Sequence, residues 1–140
     1  MIIDNRNLLD DLFDGFSDYE KYIKDNALHE LVGIDLKSYG DVKAKQLKDP
    51  YHSVNQNLDE AYAPELDDLV RLHYLITSRK VTTILEFGVG ASTIIFNDAL
   101  IRNQQKYEHE IVNDLRRSNP FECHSVDNYE KWIEEVRSKN

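Results

Sequence analysis

The residues that could do chemistry in this sequence are two acids, two glycines and a pair of hydroxyls. Glu86, Gly88, Gly90, Ser92 and Thr93 fall within Thr83-Ile84-Leu85-Glu86-Phe87-Gly88-Val89-Gly90-Ala91-Ser92-Thr93, and Asp127 comes later, in His124-Ser125-Val126-Asp127. Glu86 is a carboxylate near the carboxyl end of an apolar, β-branched run. The glycines allow a tight turn and close approach of the backbone to a ligand. Ser92 and Thr93 open a helix whose free N–H groups and positive dipole end point back at the turn. An acid, two glycines and a helix N-terminus meeting in one crevice is the way α/β sheets bind nucleotide-like cofactors. In a doubly wound sheet the tips of the first two strands are neighbours, so Asp127 would flank the same crevice and could take a ribose diol by paired hydrogen bonds.

The elements that must position these residues can be read from periodicity. Val81 to Phe87 is short, apolar and β-branched, which predicts a central parallel strand covered on both faces. Before it, Pro64 suits the first position of a helix. Leu66, Leu69, Val70, His73 and Ile76 share one face of that helix through Ser78, with His73 expected as a hydrogen-bonded core histidine. After the glycines, Ile94, Ile95, Phe96, Ala99, Leu100 and Ile101 are apolar nearly all round, the pattern of a buried helix. Asn103-Gln104-Gln105 interrupts it, and Tyr107, Ile111, Val112 and Leu115 resume as one stripe, so either one long helix or a kinked pair fits. Ser118-Asn119-Pro120 ends it. Phe121 to Asp127 is the second strand, and Asp127 or Asn128 can cap a last helix carrying Tyr129, Trp132, Ile133 and Val136. Strands alternating with helices give a parallel sheet with right-handed crossovers.

Upstream, Leu8, Leu9, Leu12, Phe13 and Phe16 recur at helical spacing with Asp10, Asp11 and Asp14 facing away, and Gly15 ends or bends that helix. Ser17-Asp18-Tyr19-Glu20 has the form of a capping box for a second helix to about Asp25. The first 20 residues carry six acids against one arginine, which reads as a solvated face or a docking surface for a basic partner. From Ala27 to Asn57 short helices and irregular connections are expected. Tyr51, His52 and Tyr62 form a loose polar-aromatic group there, surface or packing residues in the plain reading and a lid over the cofactor in the functional one. The domain reading is therefore a helical N-terminal extension over residues 1–60 and a partial cofactor-binding domain over 61–140.

Composition excludes several classes. A formal net charge of −9 opposes a grip on nucleic-acid backbones or an anionic membrane surface. No apolar run is long enough to span a bilayer. One cysteine, Cys123, cannot form an internal disulfide, which fits a reducing cytoplasm. The histidines show no zinc spacing with Cys123, so no metal site is expected. Cys123 and His124 are neighbours on a strand and point to opposite faces, which rules out a nucleophile–base pair. No lysine follows the glycines, so there is no P-loop.

Ile84-Leu85-Glu86-Phe87-Gly88-Val89-Gly90-Ala91-Ser92-Thr93 resembles motif I of the class I, Rossmann-like S-adenosylmethionine-dependent methyltransferases. His124-Ser125-Val126-Asp127-Asn128-Tyr129-Glu130-Lys131-Trp132 resembles the second-strand motif of that superfamily, and Ala63-Pro64-Glu65-Leu66 the element before motif I. The resemblance covers roughly residues 62–136. It implies that Glu86 holds the methionine or ribose end of S-adenosylmethionine and that Gly88 and Gly90 admit the methionine moiety. It implies that Ser92 and Thr93 cap the helix near the cofactor carboxylate, that Asp127 binds the ribose diol, and that Asn128 and Tyr129 lie beside the adenine. Trp132 reads as core, and no catalytic residue is assigned.

The function these readings imply is the S-adenosylmethionine-binding part of a methyltransferase acting on a small-molecule acceptor. The sequence stops after the second strand and its helix, whereas the superfamily has further strands. The expectation is therefore the start of a doubly wound parallel sheet, an N-terminal portion of a longer protein whose own activity is in doubt. Two alternatives stand beside it. One is a non-catalytic module that pairs, or self-associates, through exposed strand edges. The other is an NAD-dependent oxidoreductase, which is disfavoured because the interval from Gly88 to Asp127 is nearly twice the ~20 residues of the dinucleotide fold and a third glycine is lacking.

Overall fold

A computed structural model of the chain describes residues 16–37 and 64–139, the side chains of Phe16 and Ser17 excepted. Among these residues the protein is a mixed α/β structure with five helices and two parallel strands. They run α1 (Phe16–Asn26), α2 (Leu28–Val32), α3 (Leu66–Ser78), β1 (Thr83–Phe87), α4 (Ala91–Ile111), β2 (Glu122–Val126) and α5 (Glu130–Arg137). The expected helix through Leu8, Leu9, Leu12 and Phe13, the Tyr51, His52 and Tyr62 group, and the division near residue 60 lie outside the described residues.

The helical stripe of α3 is buried as its spacing predicts: Leu66, Leu69, Val70, His73 and Ile76 all point inward. Pro64 stands outside the helix, with Glu65 at the N-cap. Helix α1 starts at Phe16, so Ser17 lies inside its first turn, not ahead of it. Tyr19 and Ile23 of α1 and Leu28 of α2 pack with Leu66, Leu69 and Val70 of α3 and Ile95 of α4 in one apolar cluster. The described N-terminal helices thus share a core with the glycine-turn part of the chain. A second cluster, built on Ile76, Ala99 and Leu100, packs against Ile84 of β1 and Cys123 of β2.

Helix α4 is a single helix of 21 residues. It runs straight through Asn103-Gln104-Gln105. Asn103 is itself core, 2% exposed. Its amide donates to Ile76 O at 2.9 Å and Val81 O at 3.0 Å, satisfying the end of α3 and the lead into β1. The polar interruption in the sequence is therefore a buried clasp. Val112 and Leu115 fall beyond the helix, and Ile101 is exposed on it.

The two strands pair in parallel, Thr83 with Glu122 through Phe87 with Val126. Strand parity sends Ile84, Glu86, Cys123 and Ser125 to the face covered by α4. Leu85, Phe87, His124 and Val126 go to the other face, where Leu85, Phe87 and Val126 are 63%, 83% and 56% exposed. The expectation that β1 is covered on both faces is thus corrected among the described residues: α4 covers one side only. Burial pushes the Cys123 thiol up, and Cys123 and His124 face opposite ways, as adjacent strand residues must. Among the described residues no helix is long and apolar enough to cross a membrane.

Candidate functional site

The glycine turn is built by the end of β1 and the start of α4. Gly88 has φ +105, a conformation that a side chain would strain, and its N–H donates to Val126 O at 2.7 Å. The parallel pairing thus continues one step past β1 and carries the turn to the tip of β2. Gly90 is extended, so its backbone does not demand glycine. A Cβ at either glycine would meet nothing within 4 Å, which leaves the turn backbone open to an approaching group.

Asp127 locks the two strand tips together. Its Oδ2 accepts the N–H of Val89 at 2.9 Å, and its Oδ1 accepts the N–H of Tyr129 at 2.8 Å. Each oxygen retains a lone pair for a further donor. The second acid therefore sits against the glycine turn, held in one orientation by two backbone donors. Tyr129, and neither Asp127 nor Asn128, is the N-cap of α5. Asn128 and Tyr129 are exposed beside the acid.

Glu86 faces α4, under the sheet. Ser92 Oγ donates to its Oε1, while Thr93 Oγ1 at 2.6 Å and Ser125 Oγ at 2.8 Å donate to its Oε2. Thr93 Oγ1 also accepts the Gly90 N–H at 3.1 Å, half of a capping box. Glu86, Ser92 and Thr93 thus form a clasp that ties β1, the turn, α4 and β2. Ser125 belongs to this clasp and was not singled out from sequence, because its contact with Glu86 depends on the strand register, in which the two residues are paired.

A cavity of about 330 Å³ opens beside the turn. Gly90 and Ile94 form one wall, Val32 of α2 and Pro64 another, and Trp132 and Val136 of α5 a third. Trp132, expected as core, is half-buried and lines this space, its ring set edge-to-face with Tyr129 at 5.1 Å between centroids.

His73 lies apart from the turn. It is 1% exposed and satisfied on both nitrogens, by Tyr22 Oη at 2.8 Å and Asp98 Oδ2 at 2.9 Å. The carboxylate can only accept, so Nε2 carries the proton in that bond. Arg102 donates to the same Asp98 oxygen at 2.6 Å and reaches Asn26 on α1. Burial alone would raise Asp98, but the hydrogen bonds from His73 and Arg102 outweigh it and hold the carboxyl below its usual range. Burial pushes the Tyr22 phenol up. This network joins α1, α3 and α4, so His73 fills the core role its place on the stripe implies. Its partners come from helices distant in sequence and could not be named from spacing.

No family model, curated protein or solved structure matches the chain.

Proposed function

We propose that the chain is the S-adenosylmethionine-binding part of a Rossmann-like methyltransferase, acting in the cytoplasm on a small-molecule acceptor. The observation that carries this reading is the Asp127 carboxylate, bonded to the Val89 N–H of the glycine turn. It brings the diol-binding type of acid, at the tip of one parallel strand, against the glycine turn at the tip of its neighbour. The open space over Gly88 and Gly90 suits the backbone approach such a cofactor needs. The cofactor would supply an already activated methyl group. The protein's share would be positioning: Asp127 accepts from the ribose hydroxyls, the turn and the first turn of α4 present backbone N–H groups, and the Glu86 clasp keeps them in place.

Isothermal titration calorimetry with S-adenosylhomocysteine tests the reading. The wild-type chain is expected to bind, and Asp127→Ala to bind about tenfold to a hundredfold more weakly, the worth of hydrogen bonds to a charged acceptor. Gly88→Val should abolish binding, because valine resists φ +105. Affinity untouched by both changes would refute the proposal.

A second reading is favoured by the bare sheet face. Leu85, Phe87 and Val126 stand exposed side by side, and among the described residues each strand has one unpaired edge. On this reading the chain is an interaction module that pairs its sheet with another chain. A concentration-independent monomer by sedimentation, with full cofactor affinity, would eliminate self-pairing.

A further inference from the structure

The cavity lined by α4 and α5 has a chemistry of its own. Asp127 is not among its lining residues, so it is separate from the acid that meets the glycine turn. Ile94 and Val136, both buried, line it with Val32 and Pro64. Its polar side chains are Glu135 and Lys139, both exposed. They are opposite in sign, so together they bring no net charge, and an ion among the inner walls would find no partner to offset its lost hydration. The turn supplies little polarity either. The N–H groups of Val89 and Gly90 are already taken, by Asp127 and Thr93. A molecule rich in hydrogen-bonding groups would therefore leave them unpaired here, whereas a hydrocarbon-like one loses nothing. Trp132 adds a shape preference. Tyr129 meets its ring at 74°, an edge-to-face contact that leaves at least one indole face uncovered by Tyr129, and such a face stacks on a flat ring. At about 330 Å³ the space is roughly twice the ~150 Å³ of an apolar cavity that holds benzene, which gives room for two fused rings.

We propose that this cavity is a second ligand site, separate from the Asp127 crevice, and that it takes a small uncharged aromatic molecule of one or two fused rings stacked on Trp132. The inference goes beyond the cofactor reading and does not depend on it. Recognition rests on apolar burial against Ile94 and Val136 and on the indole face, with no charged partner, so ring size and neutrality set what binds. Trp132 acts here as a contact residue for the ligand, a role its helical spacing does not suggest.

Trp132 is the single tryptophan of the chain, so the NMR spectrum of the isotope-labelled protein carries one indole N–H cross-peak, and that peak reports on the cavity. Titrating the full chain with free indole should move it saturably, at millimolar concentration or below, together with the amides of Ile94 and Val136. Benzoate and benzylammonium, of similar size and opposite charge, should each bind at least about tenfold more weakly. Ala91 lines the cavity, so Ala91→Leu fills it with the tryptophan in place and should weaken indole about tenfold or more. Read from the Val136 amide, Trp132→Ala should weaken it about tenfold, the scale of one aromatic stack. Either variant suffices if the other does not fold by circular dichroism. Asp127→Ala and saturating S-adenosylhomocysteine should each leave the indole affinity within about threefold of its starting value. A peak that indole does not move, benzoate binding as tightly as indole, or competition between indole and S-adenosylhomocysteine would overturn the second site. Indole binding as expected with no S-adenosylhomocysteine binding would refute the cofactor reading alone and leave this inference standing.

Discussion

The two faces of the β1–β2 sheet are made by alternate residues of the same ten-residue pairing, yet they meet different surroundings. On the covered face Ile84 and Cys123 pack against Leu100 and Ala99, and Glu86 is held by three hydroxyls. On the other face Leu85, Phe87 and Val126 are apolar and exposed. The covered face carries both the packing and the polar clasp that aims the glycine turn. Among the described residues nothing covers this second face, and it contributes little to the described fold. Stability and site geometry therefore belong to one side of the sheet.

This contrast can be broken by mutation. The largest effect is expected for Leu100→Ala, 1% exposed beneath the sheet, which should destabilise by about 2–5 kcal/mol through lost burial and a residual cavity. Urea denaturation would measure it, and a loss under about 1 kcal/mol would deny that this face holds the core. Next comes Glu86→Ala, which strips the acceptor from Ser92, Thr93 and Ser125 and should cost about 1–3 kcal/mol. Its amide hydrogen exchange should rise across residues 88–93. Glu86→Gln keeps an accepting oxygen and should recover most of that protection. Equal loss in both variants would mean that the negative charge, and not the hydroxyl clasp, fixes the turn. The smallest effect is expected for Phe87→Ser on the bare face, within about 0.5 kcal/mol in thermal or urea unfolding. A loss comparable to Leu100→Ala would show that Phe87 is covered after all, and the comparison would collapse.

Much of the helical framework was legible because a 3.6-residue period states which face is buried. Leu66, Leu69, Val70, His73 and Ile76 fall on one stripe by spacing alone, and all five are buried. The glycine turn and the acid at the second strand tip were legible because their residue types are locally unusual: Gly88 adopts the positive φ that glycine alone takes freely. The strand run was less informative. A short apolar, β-branched run implies two covered faces, but pattern cannot say whether a covering element is present, and among the described residues Leu85 and Phe87 remain open. Asn103 misled in the opposite direction. Its polarity reads as an interruption, yet the amide is buried because it satisfies two carbonyls contributed by other segments.

The sequence by itself determined the order of helices and strands, the inward stripe of α3 and the meeting of glycines and acids near strand tips. These follow from local sterics and periodicity, which act over a few residues. Only the tertiary structure decided that Glu86 turns to Ser92, Thr93 and Ser125, that Asp127 grips the turn through the Val89 N–H, and that Trp132 lines a cavity. Each of these depends on strand register or helix docking, set by contacts between segments whose separation along the chain leaves no periodic trace.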